Sequence, residues 1–286
     1  MPRAAVLGHP VRHSLSPVLH QAAYAALGLP SWQYSAIDCD VEALPGLLVA
    51  AHADTDTWVG FSCTMPLKRL ALTLASAADP LATAVGAANT LVRTDAGWTA
   101  AMTDVAGITE ALAESGAAPV EVTLIGSGGT AQAALGAVAR WGLGDCAVLV
   151  RDRSRTTQLR ATAERLGIEL SLADLDPAAP ELDAELVIST VPRGAADALA
   201  PHRWRPNQRL LDAVYDPWPT RLADSASQAG ATVISGALML LHQAVAQVGL
   251  MTGLAAPQAQ MRAALLRAAP GCGLSPPAEA GARIDR

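Results

Sequence analysis

The stretch Val122-Thr123-Leu124-Ile125-Gly126-Ser127-Gly128-Gly129-Thr130-Ala131 decides the fold. Its first four residues are apolar or β-branched and read as a buried strand. A glycine-rich turn follows, and residues 130–141 then read as a helix. The turn fits G-x-G-x-x-A, and its small residues have distinct tasks. Gly126 permits the tight turn, Gly128 lets the backbone approach a pyrophosphate, and Ala131 lets the helix pack closely on the strand. The free N–H groups and the positive dipole end of that helix would face the anion. A glycine-rich turn without a ligand is the competing reading, and the strand–turn–helix setting favours the dinucleotide.

Outward from this turn, a strand at 147–150 runs into Arg151-Asp152-Arg153-Ser154-Arg155. A site for NAD usually places a carboxylate there, and a site for NADP places arginine against the 2′-phosphate. Asp152 keeps the first option open. Three arginines within five residues favour the phosphate, because a guanidinium binds it through paired hydrogen bonds. A solvated basic loop is the competing reading. Further strands are read at 169–172, 186–189, 209–214 and 232–234, with a helix at 156–166. The strand ending at Ser189 leads into Thr190-Val191-Pro192, and open α/β sheets place ligands at strand C-termini. That loop either flanks the nicotinamide or is an ordinary proline-terminated strand. The alternation predicts a Rossmann-type doubly wound dinucleotide-binding domain over residues 105–236.

The first half also reads as α/β. Strands are expected at 4–7, 32–37 and 58–64, and helices at 17–27 and 42–51. Another helix opens at Pro66 and Lys68, and a hairpin spans 89–93 and 98–101. Ser16 reads as the N-cap of the first helix, with Pro17 at its first position. Val105, Ile108 and Leu112 recur at helical spacing after Asp104, which reads as the cap. The domain boundary is placed on that helix. A helix at 238–250 follows the last strand. The end from about 270, rich in Pro, Gly and Ala, is expected to be mobile.

Composition sets the outer bounds. A chain of 286 residues suits two domains, because single cores stop growing at about this size. Charged residues are 16% against 51% hydrophobic, and the net charge is −6. A disordered acidic chain is excluded by that hydrophobicity. Nucleic acid is not expected as a partner, since a phosphate-binding surface needs a basic excess. Cys39, Cys63, Cys146 and Cys272 form no C-x-x-C pair. Neither a disulfide framework nor a metal site is expected, and a cytoplasmic location is. The most apolar long stretch, 236–254, carries His242, Gln243 and Gln247, so it reads as a buried helix and not a membrane span.

Against this apolar background a few polar residues stand out. A lysine just inside a helix start opposes the dipole. Lys68 is therefore either solvated or held by a carboxylate or an anionic ligand. Ser14 sits at a strand-to-helix turn, Ser62 and Thr64 shortly precede Lys68, and Asn89 closes a run of small residues. Asp104 is explained by capping or by a site.

Together these residues resemble a known family. Gly8-His9-Pro10 with His13-Ser14-Leu15-Ser16-Pro17 resembles the G-x-P-x-x-H-S-x-S-P opening of the shikimate dehydrogenases. Ser62-Cys63-Thr64-Met65-Pro66-Leu67-Lys68 resembles their [N/S]-V-T-x-P-x-K segment, and Gly86-Ala87-Ala88-Asn89-Thr90 their G-A-x-N-T. Thr103-Asp104-x-x-Gly107 is similar to the end of N-T-D-x-x-G, with Met102 in place of the Asn. Tyr215-Asp216-Pro217 with Thr220, and Gly236-x-x-Met239-Leu240-x-x-Gln243, are similar to two C-terminal signatures.

The resemblance implies reversible NADP-linked reduction of 3-dehydroshikimate to shikimate. It implies Lys68 and Asp104 as the catalytic pair. Ser14, Ser16, Ser62, Thr64, Asn89, Tyr215 and Gln243 would hold the substrate's carboxylate and hydroxyls. Gly126, Ser127, Gly128, Gly129, Thr130, Arg151, Arg155, Thr190, Val191 and Gly236 would hold the cofactor. The substrate unit would comprise residues 1–104, completed by a C-terminal helix at about 237–265. A monomer or homodimer with small-molecule partners and no membrane partner is expected. A quinate or aminoshikimate dehydrogenase, possibly NAD-linked, is the alternative, and a ligand-binding regulator without catalysis is a more distant one.

Overall fold

The computed structural model describes residues 1–54, 58–116 and 119–274. The strands assemble into two six-stranded sheets. The first holds β1 (Arg3–Gly8), β2 (Gln33–Asp38), β3 (Trp58–Cys63), β4 (Ala77–Ala78), β5 (Thr90–Thr94) and β6 (Gly97–Ala101). Their spatial order is β2-β1-β3-β5-β6-β4. β1 runs parallel to both β2 and β3, whereas β5 runs antiparallel to β3 and forms a hairpin with β6. Helices α1 (Ser16–Ala26), α2 (Leu44–Ala53), α3 (Lys68–Leu74) and α4 (Pro80–Val85) connect the strands.

The second sheet holds β7 (Val122–Ile125), β8 (Asp145–Val150), β9 (Glu169–Asp174), β10 (Leu186–Ser189), β11 (Arg209–Asp212) and β12 (Thr232–Ser235). Its order is β12-β11-β10-β7-β8-β9, and every pair is parallel. Counted along the chain this is the Rossmann order, so the expected doubly wound sheet is present. The chain leaves β7 toward β8 on one side and β10 toward β11 on the other. The gap between β7 and β10 is therefore the topological switch point, where such sheets place ligands. Helices α6 (Gly129–Arg140), α7 (Thr157–Leu166) and α8 (Arg221–Gln228) complete this part.

Two long helices stand between the sheets. α5 (Asp104–Ala113) buries Val105, Ile108 and Leu112, as their spacing predicts. α9 (Gly236–Thr252) lies beside it, followed by α10 (Gln258–Ala268). Gly107 sets how closely α5 and α9 approach. A Cβ there would stand 2.7 Å from the Met239 carbonyl oxygen and 3.0 Å from Gln243 Cβ. At the far end of α5, Glu114 accepts from His242 Nε2 of α9 at 2.8 Å and from the Arg262 guanidinium of α10 at 2.6 Å. Apolar packing runs unbroken from Leu7 and Phe61 through Ile108 to Leu124 and Leu135.

Several elements differ from the sequence reading, each for a local reason. Ser16 is the first residue of α1 and caps nothing with its side chain; instead Ser14 Oγ accepts from the Ser16 amide at 3.3 Å. Asp104 is likewise the first residue of α5, behind Thr103, because its carboxylate is drawn to Lys68 and Asn89. α2 starts later than expected, since Asp40 Oδ1 accepts from the amides of Glu42 and Ala43 and holds them in a turn. The sequence reading lacks the short elements β4 and α4 and helix α8, and the single C-terminal helix it expects at about 237–265 is two helices, α9 and α10. Gly253, at φ +71°, ends α9 and frees the chain to form α10. Of the segment expected to be mobile, residues 270–274 are ordered against Ser235, whose hydroxyl donates to the Cys272 carbonyl. Residues 275–286 lie outside the described residues.

Among the described residues no helix is long and apolar enough to cross a membrane. All four cysteines are free and buried. Replacing Gly107 with alanine should push α9 off α5, because the obstacle is a backbone carbonyl that cannot rotate away. The expected loss is about 1–3 kcal/mol, the usual cost of overpacking. Urea unfolding of the Gly107→Ala protein measures it.

Candidate active site

Two adjoining cavities lie between the sheets. The smaller has a volume of about 300 Å³ and the larger about 630 Å³. Thr64, Lys68, Thr130 and Ala213 border both.

The smaller cavity is built around an ion pair. Lys68 opens α3 and Asp104 opens α5, and Lys68 Nζ donates to Asp104 Oδ2 at 2.5 Å. Their side chains are 16% and 7% exposed, so the pair is largely shielded from water. Asn89 Nδ2 donates to the other carboxylate oxygen, Oδ1, at 2.7 Å. The Thr103 amide donates to Asn89 Oδ1 at 2.7 Å, which fixes which way the Asn89 side chain faces. The same Asn89 nitrogen lies 3.3 Å from Gln243 Oε1. Met102, where the family pattern has Asn, turns into the core. Asn89 therefore supplies the amide that orients Asp104.

Every predicted catalytic and substrate residue borders this cavity. Besides Lys68, Asp104, Asn89 and Gln243, these are Ser14, Ser16, Ser62, Thr64 and Tyr215. Burial pushes the phenol of Tyr215 above its ordinary range, so it is a hydrogen-bond donor at neutral pH. The sequence reading missed a second polar layer behind the cavity. Tyr34 OH donates to Ser62 Oγ at 2.6 Å, and Ser62 Oγ donates to Gln247 Oε1 at 2.7 Å. His20 Nε2 reaches the same Gln247 oxygen at 3.3 Å, and its ring stacks on Tyr34 at 3.9 Å. Gln247 was findable, since it follows Gln243 by four residues on one helix and so shares its face. Nothing local marks Tyr34 or His20.

The larger cavity is lined by the glycine turn. Gly126 has φ +107°, a left-handed conformation that favours glycine. A Cβ there would also press on Thr190 Oγ1 and Val191 Cγ1, each at 2.8 Å. Nothing lies within 4 Å of a Cβ built on Gly128, so its backbone faces open space. No side chain caps the N-terminus of α6. Ser127, Gly129, Thr130, Thr190, Val191, Arg151 and Arg155 also line this cavity. Thr190 Oγ1 donates to the Ile125 carbonyl at 2.8 Å and so ties the loop after β10 to the end of β7. Arg153 is turned away, with Nε 3.0 Å from Asp174 Oδ1. The hydroxyl and amide of Ser154 hold the exposed carboxyl of Asp152 below its ordinary range. Gly236 borders the smaller cavity and not the larger, packed so closely on Ala213 that a Cβ would collide with the Ala213 carbonyl.

This arrangement has relatives. Residues 6–91 match the shikimate dehydrogenase substrate binding domain, and residues 236–266 match the shikimate 5′-dehydrogenase C-terminal domain. A shikimate dehydrogenase (NADP(+)) of an Anaeromyxobacter species is 40% identical over 281 residues, covering 93% of this chain and 95% of that protein. The chain belongs to the shikimate dehydrogenase family. Among solved structures of the family, that of the Mycobacterium tuberculosis shikimate dehydrogenase superposes with a TM-score of 0.83 at 43% identity. It covers 93% of this chain and 100% of the other. A Thermus thermophilus shikimate 5-dehydrogenase, solved in complex with NADP(H) and shikimate, superposes with a TM-score of 0.81 at 33% identity. It covers 94% of this chain and 100% of the other.

The layer behind the cavity has a measurable consequence. Burial holds the His20 imidazole at a pKa of about 3, far below the ordinary 6.5, with the Gln247 hydrogen bond opposing weakly. The unfolded chain therefore binds a proton at pH 5 that the folded chain does not. Stability from this group is full above about pH 6.5 and falls on acidification toward pH 3. A His20→Phe protein, which keeps a ring against Tyr34, lacks this term. Relative to it, the wild type should lose on the order of 2 kcal/mol between pH 7 and pH 5. Urea unfolding of both proteins at the two pH values measures the difference, and parallel pH dependence would contradict a neutral His20.

Proposed function

We propose that this chain catalyses the reversible NADP-linked reduction of 3-dehydroshikimate to shikimate, a step toward the aromatic amino acids. The observation that carries the reading is the Lys68–Asp104 pair in the wall between the two cavities. Relatives named as NADP-dependent shikimate dehydrogenases support it, as does the Thermus thermophilus neighbour solved with both ligands.

The residues present fit the cofactor. Bare glycine backbone and an uncapped helix start suit a pyrophosphate. Arg151 and Arg155 suit the 2′-phosphate, and they form no ion pair among the described residues, whereas Arg153 is engaged with Asp174. Asp152, the group that would suit a ribose hydroxyl in NAD, accepts twice from Ser154 through Oδ1. When bound, the nicotinamide supplies the hydride, or accepts it in the reverse direction.

The chain's own residues handle the proton and the charge. Negative charge develops on the substrate's carbonyl oxygen as its carbon is reduced, and Lys68 Nζ donates a proton there. Asp104 holds the ammonium in the wall and compensates its charge. Asn89 holds Asp104 in turn, so the carboxylate cannot swing away from the lysine. In the reverse direction Lys68 takes the proton from the substrate hydroxyl. Ser14, Ser16 and Tyr215 donate to the substrate carboxylate, while Ser62, Thr64 and Gln243 meet ring hydroxyls.

The reading divides the chain into a substrate unit, residues 1–104 completed by α9 and α10, and an NADP-binding unit, residues 105–236. The four buried free thiols support a cytoplasmic location.

Lys68→Ala should lower kcat by about 10²- to 10⁴-fold, the range for a general acid–base group, with a milder effect on KM. Steady-state kinetics in both directions measures it, and full turnover would sink the assignment. Replacing Arg151 and Arg155 together by alanine should raise KM for NADP about 10- to 100-fold and leave KM for NAD nearly unchanged. Equal effects on both cofactors would remove the arginines from the 2′-phosphate.

A further inference from the structure

His20 of α1, Tyr34 of β2, Ser62 of β3 and Gln247 of α9 meet in one buried network. A backbone carbonyl sets the direction of every bond in it. Gln247 Nε2 lies 3.3 Å from the Asn89 carbonyl oxygen and 3.0 Å from Thr90 Oγ1. A carbonyl only accepts, so the amide nitrogen of Gln247 must face that side and Oε1 must face the other. Oε1 meets Ser62 Oγ at 2.7 Å and His20 Nε2 at 3.3 Å. An amide oxygen cannot donate. The single hydroxyl proton of Ser62 therefore points at Gln247, and His20 carries its proton on Nε2. Having donated, Ser62 can only accept from Tyr34 OH, 2.6 Å away. A serine hydroxyl has one donor and two acceptor positions. One lone pair remains, and Ser62 borders the smaller cavity.

We propose that the Tyr34–Ser62–Gln247–His20 relay locks Ser62 as a hydrogen-bond acceptor toward the cavity, so that Ser62 selects a ring hydroxyl and rejects a carbonyl or carboxylate oxygen at that point. The proposal deepens the activity assigned above and rests on it. His20 fits the same direction. Its Nδ1 is buried without a partner among the described residues, which suits a bare lone pair better than an N–H, whose loss of water costs more.

The lining thus sets one fixed acceptor among donors. The hydroxyl protons of Ser14 and Ser16 are not used by another described residue, and Tyr215 is protonated, so these three offer donors. Ser62 offers a lone pair. A ring hydroxyl placed there donates to it, whereas a carboxylate or carbonyl oxygen would meet lone pair with lone pair. Ser62 is then a binding residue, and Tyr34, Gln247 and His20 are positioning residues.

Two measurements test this. The first uses Ser62→Ala with shikimate and with the two analogues that each lack one of the ring hydroxyls not oxidised. KM for shikimate should rise about 3- to 10-fold, as expected for one neutral hydrogen bond, with little change in kcat. KM for one of the two analogues should not change, because the bond is already missing. An equal rise for all three substrates would overturn the proposal. Turnover of shikimate with NADP by the wild type reads the assigned activity separately. The second measurement, independent of catalysis, is the ¹⁵N spectrum of His20 in the wild-type protein. A neutral ring protonated on Nε2 is expected at neutral pH, and an Nδ1–H ring or an imidazolium would overturn the direction of the relay.

Discussion

The ion pair between Lys68 and Asp104 is the constraint around which the cleft is arranged. Two charges taken out of water cost several kcal/mol each unless geometry and further hydrogen bonds compensate. Asn89 provides the further bond to Asp104, and the Thr103 amide holds Asn89. The start of β5 and the start of α5 are thereby fixed against each other. The two helix starts are not equivalent. Asp104 is favoured by the dipole of α5, whereas Lys68 is opposed by the dipole of α3. Lys68 can occupy that position because its partner is supplied from elsewhere in the chain.

The second sheet brings the cofactor turn to the same place. The switch point between β7 and β10 opens beside α3. Gly129 faces the lysine stem, and a Cβ there would stand 3.4 Å from Lys68 Cδ, in ordinary contact. Gly236 lets α9 start against the loop after β11, which carries Tyr215. Gly107 brings Gln243 down onto α5. Gly236 and Gly107 thus set how closely α9 packs on the loop after β11 and on α5.

How much of this was legible depended on whether the signal was local. The strand–turn–helix of residues 122–141 could be read directly, because glycine and period carry it. The polar residues around the smaller cavity could be read as motifs, since an apolar chain makes them conspicuous. Ser16 and Asp104 both read as caps because capping is a local rule, while the partner that draws Asp104 away from that role is distant in sequence. Asp104 and Lys68 are 36 residues apart. Tyr34 and His20 were invisible for the same reason. Strand alternation and helix periodicity explain their burial, and only the fold shows that they share one hydrogen-bond network with Gln247.

The charges of the cleft run against the balance of the whole chain, which is −6. At physiological salt, charges beyond about 8 Å are largely screened, so the local set decides. Lys68, Arg69, Arg151 and Arg155 border the larger cavity, against the carboxylate of Asp152 in its lining. With bare glycine backbone beside these cations, the larger cavity is suited to an anion. The smaller cavity differs, since the polar groups it offers from Ser14, Ser16 and Tyr215 are neutral. Neutral hydroxyls act by direction alone, and leave Asp104 to the lysine that must keep its place.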